Sequence, residues 1–238
     1  EPEDVPAFLR RVYDRLGIAI LGILRVPRSI RTGELFKIFR LENMEAFDIA
    51  RERGNGCIAV LGHLGNYESG GVVVCNAGYQ LNSLARPIAN RFVDRWMNGI
   101  REKTGGRIIP AAKAGREMLR VLKRNDILCT EIDIDAKVIG ILVDFCGRPA
   151  STHNAFARFA IKCGSPMIVV NVYREDGINI VRLSDPIYPD EYKDMPDGAD
   201  ELTRRVGAVF DGYVREHPEQ WLWLLNRWRG ADKILKRR

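Results

Sequence analysis

Short runs of apolar residues alternate along this chain with longer segments in which apolar residues recur at helical spacing. Residues 57–61 and 127–132 form such runs, and each is predicted to be a buried strand. Residues 167–173 and 178–183 flank the turn sequence Glu175-Asp176-Gly177 and predict a pair of strands. Strands that alternate with helices predict an α/β sheet flanked by helices.

The amino-terminal part of the chain, residues 1–53, is predicted to be helical. Residues 5–24 carry apolar side chains near helical spacing with arginines between them, and residues 41–53 form a second helix. Between Arg10 and Arg40 there are eight basic residues and two acidic ones. A basic amphipathic helix of this kind either attaches to an anionic membrane surface or packs on the sheet with a solvated outer face.

No apolar run in the sequence reaches the ~18 to 20 residues that a membrane-spanning helix needs. The longest run, residues 16–24, has nine residues. The chain begins with Glu1, which is compatible with the removal of an amino-terminal anchor. We therefore expect either peripheral attachment to a membrane or attachment through an anchor missing from this sequence.

Composition narrows the class of protein. The chain has 238 residues, 46% of them hydrophobic and 29% charged, which is enough for one large α/β domain with a substantial core. A formal net charge of +6 favours an anionic partner, whether nucleic acid, anionic lipid or a phosphorylated substrate. The five cysteines include no CxxC pair and the chain has no HExxH motif, so we expect buried thiols and no metal site.

The segment CIAVLGHLGNYE, residues 57–68, carries the strongest candidate chemistry. The strand ends at Gly62 and delivers His63 to a turn, and a helix begins near Tyr67. The turn allows Glu68 to fold back toward Nδ1 of His63, and a histidine held by a carboxylate is a candidate general base. The alternative is a histidine that is only a satisfied polar group. Its position after a strand, where open α/β sheets form their ligand crevices, favours the first interpretation.

Further polar residues stand near other predicted strand ends. Arg86 and Asn90 follow one strand and Arg101 lies on the next helix, where a guanidinium can pair with phosphate or carboxylate. Arg148 lies in a predicted loop, residues 147–150, before a helix whose start offers either an anion site or a plain N-cap. Acidic residues cluster after one strand, as either a functional group or a polar turn: Glu131, Asp133 and Asp135.

Five segments of the chain form an ordered set: residues 63–68 (HLGNYE), 86–90 (RPIAN), 101–106 (REKTGG), 143–152 (VDFCGRPAST) and 218–228 (PEQWLWLLNRW). In the same order they resemble the HxxxxE, RPxxN, R…GG, VxFFGxxAxT and PxQ(Y/W)xWLHxR(W/F) motifs of the bacterial lipid A late acyltransferases. This family of lauroyl and myristoyl acyltransferases, within the lysophospholipid acyltransferase superfamily, includes mycobacterial phosphatidylinositol mannoside acyltransferases. The chain departs from it at Cys146, where a second Phe is usual, and at Leu225-Asn226, where a His is common.

The resemblance implies a glycerolipid acyltransferase-like fold, with a mixed, largely parallel sheet flanked by helices in a single domain, residues 1–238. It implies transfer of a fatty acyl chain from an acyl thioester, on acyl carrier protein or coenzyme A, to a hydroxyl of a membrane glycolipid. A lipid A-type acceptor is favoured, and phosphatidylinositol mannoside or another glycolipid or phospholipid is the alternative. No cofactor is implied beyond the thioester, and the expected location is the cytoplasmic face of the bacterial inner membrane.

The same resemblance assigns roles to particular residues. His63 is the general base, Glu68 orients its ring, and Asp133 matches an acid that lies near the catalytic histidine in the family. Substrate-binding roles fall on four residues: Arg86, Asn90, Arg101 and Arg148.

Another class of function stays open. A non-catalytic lipid-binding protein of the membrane surface would use the same amphipathic and basic features without needing His63 and Glu68. A nucleic-acid binder fits the charge, but the sequence has no RNP1 motif and no basic helix followed by heptads, so we do not expect nucleic acid as a partner. The absence of a GxSxG motif disfavours a serine hydrolase.

Overall fold

In the computed structural model, which describes residues 4–85, 88–110 and 114–236, one large sheet is accompanied by a separate hairpin. The strands of the large sheet are β1 (Phe39–Glu42), β2 (Cys57–Leu61), β3 (Leu81–Ala85), β4 (Arg107–Pro110), β5 (Ile127–Glu131), β8 (Met167–Glu175) and β9 (Ile178–Leu183). They lie in the order β1-β9-β8-β2-β5-β3-β4. The hairpin consists of β6 (Ile141–Phe145) and β7 (Arg148–Thr152).

Helices connect the strands and cover both faces of the large sheet. They are α1 (Val5–Thr32), α2 (Leu35–Ile38), α3 (Glu45–Arg51), α4 (Tyr67–Asn76), α5 (Arg91–Lys103), α6 (Ala114–Lys123), α7 (Ala155–Cys163), α8 (Gly198–Glu216) and α9 (Arg229–Leu235). In the part of the chain that the structure describes, no helix is both long enough and apolar enough to cross a membrane.

Alternate residues of the central strands serve two separate cores. On one face of β2, Ala59 packs with Phe47 of α3 and Val73 of α4. On the other face, Val60 packs with Phe210 of α8. Because both faces are buried, the central strands have continuous apolar sequences, which is why they stand out in the hydrophobicity pattern.

The central strands are parallel, and their register determines which loop residues meet. β2 pairs in parallel with β5 and with β8, and Leu61 at the end of β2 lies opposite Glu131 at the end of β5. β9 runs antiparallel to β8, so the sheet is mixed but largely parallel, and the predicted α/β class is confirmed. The segments that follow β2 and β5 therefore emerge side by side at one edge of the sheet.

Two local predictions were wrong. Residues 39–42 were not predicted to be a strand, but Phe39, buried beside β9, anchors them as β1 at the edge of the sheet. Residues 147–150 were expected to be a loop, but they belong largely to β7, which pairs with β6 about a turn at Cys146 and Gly147. Thus the expected helix start beside Arg148 does not exist, because α7 begins only at Ala155.

Candidate functional site

His63 lies immediately beyond β2, at the carboxyl edge of the parallel strands. Glycines on both sides of it allow the backbone to turn in a crowded space. A Cβ atom at Gly62 would lie 2.1 Å from the Phe210 ring, and Gly65, with φ of 55°, faces the backbone of β8. The chain then enters α4, whose N-cap is the Asn66 side chain, accepting from the Ser69 backbone N–H. The predicted strand–turn–helix corner is confirmed.

Asp133 holds the imidazole of His63. One carboxylate oxygen, Oδ1, lies 2.9 Å from Nδ1 of His63. The other, Oδ2, accepts from the His63 backbone N–H at 2.7 Å and from Nε1 of Trp221 at 2.9 Å. An ionised carboxylate only accepts hydrogen bonds, so Nδ1 carries the proton and Nε2 is left with its lone pair. The imidazole is thus held in the tautomer that a general base requires.

The surroundings of His63 and Asp133 shift the pKa of both side chains. Burial lowers the pKa of His63, but the hydrogen bond and charge of Asp133, with the charges of Glu131 and Glu68, raise that pKa overall above the usual value. Asp133 is fully buried, which by itself raises the pKa of its carboxyl. The hydrogen bonds and the charge of His63, with the hydrogen bond from Trp221, more than offset this effect, so the net pKa of Asp133 is lowered.

The prediction that Glu68 orients His63 is corrected by the structure. Glu68 lies in the first turn of α4 and accepts two hydrogen bonds from Arg101 of α5, at 3.1 Å to Nε and 2.5 Å to Nη2. Asp133, not Glu68, occupies the position next to Nδ1. The physical reason is sheet register: the pairing of Leu61 with Glu131 places the residues two positions further on, His63 and Asp133, beside each other.

The predicted substrate-binding residues that the structure describes, Asn90, Arg101 and Arg148, do not converge on one point. Arg86 lies outside the described residues. Asn90 caps α5 by accepting from the backbone N–H groups of Phe92 and Val93. Arg148 pairs with Asp232 of α9, at 2.8 and 3.0 Å, on the surface of the hairpin. Arg101 lines the second cavity described below, and its charge is paired with Glu68.

Trp221 is a site residue whose role the sequence did not reveal. It belongs to the closing motif at residues 218–228, and the pattern there allowed either a core or a membrane-interface role. The structure buries it almost completely and directs its indole N–H to Asp133. The residue before it, Gln220, also contacts this corner, because its backbone carbonyl accepts from the Gly65 backbone N–H at 2.9 Å.

An apolar cavity of about 270 Å³ opens beside His63. One wall is α1, and the other is formed by His63, Tyr67 and the segment around Trp221. The α1 side chains that line it are mostly apolar: Leu9, Val12, Tyr13, Arg15, Leu16, Ala19, Ile20 and Ile23.

A second cavity, of about 90 Å³, shares Tyr67 and Glu68 with the first and extends along the face of the sheet that α4 covers. Arg101 and Glu131 line it together with apolar residues of β2, β3, β5 and β8. Burial raises the pKa of the Glu131 carboxyl. Among residues 4–85, 88–110 and 114–236, no group of three or more His, Cys, Asp or Glu side chains is arranged to hold a metal ion.

The fold and the site together define the class of protein. It is an α/β protein in which a candidate general base, held by an aspartate, lies at the carboxyl edge of a largely parallel sheet and beside an apolar ligand site. The chain matches the family of the bacterial lipid A biosynthesis acyltransferases over residues 1–230, and it belongs to that family.

Individual relatives are distant. The chain is 23% identical to the phosphatidylinositol mannoside acyltransferase of Mycolicibacterium smegmatis (strain ATCC 700084 / mc(2)155) over 203 residues, which are 83% of this chain and 64% of that protein. It is 23% identical to the protein of the same name from Mycobacterium tuberculosis (strain ATCC 25618 / H37Rv) over 194 residues, 78% of this chain and 58% of that protein. The chain thus spans less than two thirds of the length of these curated relatives.

Among solved structures, the chain is similar to the 1-acyl-sn-glycerophosphate (LPA) acyltransferase from Thermotoga maritima. The TM-score is 0.45 and the sequence identity 14%, with coverage of 91% of this chain and 97% of that chain.

Proposed function

We propose that this protein is an acyltransferase that moves a fatty acyl chain from an acyl thioester to a hydroxyl group of a membrane glycolipid. The observation that carries the proposal is the His63–Asp133 pair, of which His63 lines the wall of an apolar cavity. This arrangement supplies a base for the acceptor hydroxyl and an apolar space for a fatty chain. Family membership supports the same class of reaction.

The chemistry needs no covalent acyl-enzyme. Nε2 of His63 removes the proton of the acceptor hydroxyl as its oxygen attacks the thioester carbonyl. Asp133 stabilises the imidazolium that forms, as the carboxylate of a hydrolase triad does. The C–S bond then breaks, and the departing sulfur takes the proton from Nε2. The products are an ester and a free thiol, and His63 returns to its starting state.

Glu68 lines both cavities, and its partner Arg101 lines the smaller one. Because the Arg101 charge is neutralised by Glu68, we infer that Arg101 holds Glu68 and α5 in place and contributes less to phosphate binding than its motif position implied. The donor is acyl carrier protein or coenzyme A, both of which are anionic and suit a chain of net charge +6.

Two acceptors have support. A lipid A-type glycolipid is the acceptor that the description of the family names. Phosphatidylinositol mannoside is the substrate in the names of the two mycobacterial relatives. Both present sugar hydroxyls on a lipid anchored in a membrane, which is the acceptor class that the proposal requires.

We expect the purified protein to release thiol from a long-chain acyl thioester only when a glycolipid acceptor is added. The assay pairs each donor, acyl carrier protein or coenzyme A, with each acceptor class, and mass spectrometry then measures the acylated lipid. Acceptor-dependent thiol release that matches the acylated product supports the transferase. Tight lipid binding with no turnover of any pair would instead identify a non-catalytic lipid-binding protein.

We further propose that α1 attaches the protein to an anionic membrane surface, the cytoplasmic face of the inner membrane. Outside the cavity, α1 exposes Leu21 and Leu24, and Arg25 and Arg28 lie on the same helix. Exposed apolar side chains among arginines on a helix are typical of interfacial binding to anionic lipid. The cavity beside His63 is lined by α1, so a membrane at α1 would bring lipid acyl chains close to the site.

Replacing both Leu21 and Leu24 by Ser should reduce the fraction of protein that sediments with vesicles containing anionic lipid. The reason is that about 1.5 to 3 kcal/mol of favourable free energy of burial is lost for each side chain that inserts fully. Binding of the native protein should also fall as salt rises. Ile139→Ser is the matched control, since Ile139 is 78% exposed and lies between β5 and β6, not on α1. Equal loss of binding in the control, or indifference to anionic lipid and salt, would remove α1 as the membrane contact.

A further inference from the structure

The closing motif contains a buried arginine that the proposed reaction does not use. Arg227 is 2% exposed. Its Nη1 donates to the Ser151 carbonyl at 2.6 Å and its Nη2 to the Thr152 hydroxyl at 2.6 Å, both on β7. Its Nε has no hydrogen-bond partner among the described residues, and within the same residues no carboxylate lies at ion-pair distance from it. A positive charge is therefore buried without a direct counter-ion, which is costly unless a negative charge lies nearby.

The nearby negative charge is Asp133. Arg227 and Asp133 line the same small cavity, of about 10 Å³, together with Asp144 and with apolar side chains that include Phe145 and Phe210. A space of this size holds at most about one water molecule. The two charges therefore interact through a medium with little screening, even though they do not touch.

Asp133 needs such a partner. It is fully buried, and its direct hydrogen-bond donors, the ring and backbone of His63 and the indole of Trp221, are uncharged when His63 is a free base. The other charged groups that face the pair do not compensate it. Glu131 and Glu68 are negative, and Arg101 is paired with Glu68.

We propose that Arg227 is a positioning residue that acts through its charge: it keeps Asp133 ionised and thereby sets the pH at which His63 is a free base. The effect on turnover rests on the proposed transferase function, whereas the effect on the titration of His63 does not. Burial lowers the pKa of Arg227, and the charges of Asp133 and Asp135 act in the opposite direction by favouring its protonated form. A third carboxylate, Asp144, lines the same small cavity.

The sign of the effect follows from the charge balance. Protonation of His63 turns the pair with Asp133 from negative to neutral, and a positive charge nearby opposes that step. Removing the Arg227 charge therefore raises the proton affinity of the pair. The pH at which His63 loses its proton, and the acid limb of the rate profile, should both move to higher pH, while the plateau at high pH is preserved if the fold is intact.

The test is the titration of the His63 ring by ¹H–¹⁵N NMR in the full chain, with signals assigned by comparison with His63→Gln, because the chain has three histidines. Arg227→Met, which is neutral and of similar length, should raise the His63 midpoint by about one pH unit. Arg227→Lys keeps the charge and should leave the midpoint near the native value, although it loses hydrogen bonds to β7. Arg215→Met is the matched control, because Arg215 pairs with Asp144 and Asp211 at the surface near the same hairpin.

The outcomes separate the possible roles. A midpoint that does not move in Arg227→Met, with lower thermal stability alone, would show that Arg227 only fastens β7 and would overturn the inference. If Arg227→Met does not fold, Arg227→Gln repeats the test with an amide donor for Ser151. If neither neutral variant folds but Arg227→Lys does, Arg227 is required for folding of the chain, and a role confined to the titration of His63 would be overturned. A shifted midpoint without acyl transfer by the native protein would keep the inference and refute the transferase.

Discussion

Replacing His63 by Ala should abolish acceptor-dependent thiol release, with a rate loss of about 10²- to 10⁴-fold, the usual contribution of a positioned general base. The reason is that His63 is the base whose Nδ1 is held by Asp133 and whose ring lines the apolar cavity. The measurement is the initial rate of thiol release at saturating acceptor, combined with circular dichroism and a thermal unfolding curve.

His153→Ala is the control for this loss. His153 is an exposed histidine in the segment between β7 and α7, and its removal should leave the rate unchanged. An unchanged rate in folded His63→Ala would mean that another group removes the hydroxyl proton, and the mechanism above would be wrong. If His63→Ala loses both its activity and the circular dichroism signal of the folded protein, the measurement is repeated with His63→Gln, which keeps a polar side chain of similar length.

Replacing Asp133 by Asn should cost a comparable factor, about 10²- to 10⁴-fold, because a wrong tautomer disables a base as effectively as its removal. The carboxylate accepts two N–H groups at Oδ2 and one at Oδ1. An amide has only one oxygen. If that oxygen takes the place of Oδ2 and accepts from the same two N–H groups, the amide NH₂ group faces Nδ1 of His63. The ring proton must then move to Nε2. The atom that should remove the proton then carries one.

Glu68→Gln is the matched comparison, because it makes the same carboxylate-to-amide change at the acid that the sequence motif favours. Glu68 hydrogen-bonds Arg101 and does not touch the imidazole Nδ1, so its loss should reduce the rate less than the loss of Asp133. The ratio of the two rates, with the position of the His63 NMR signals, decides between the two acids. A larger effect of Glu68→Gln would return the orienting role to Glu68.

Much of the fold follows from local patterns. Continuous apolar strands buried on both faces, such as β2 and β5, stand out because no solvent face interrupts them. The corner around His63 was predicted because glycines and an Asn N-cap are local signals for a turn and a helix start. β1 and β7 were missed because each is only four or five residues long and is held by a partner strand distant in sequence or by a tight turn.

The sequence by itself determined the α/β class, the place of His63 after a buried strand and the family motifs, because these depend on neighbouring residues. The sequence offered two acids near His63, Glu68 and Asp133, and only the tertiary structure decided which of them holds the imidazole. Asp133 lies 70 residues further along the chain, and the parallel register of β2 with β5 brings it to Nδ1. The same holds for the carboxyl-terminal segment, from which Trp221 donates to Asp133 and Arg227 lines the same small cavity as Asp133. Sequence spacing pointed to Glu68 because it is close along the chain, but strand register, rather than proximity in sequence, sets which side chains meet at the edge of a sheet.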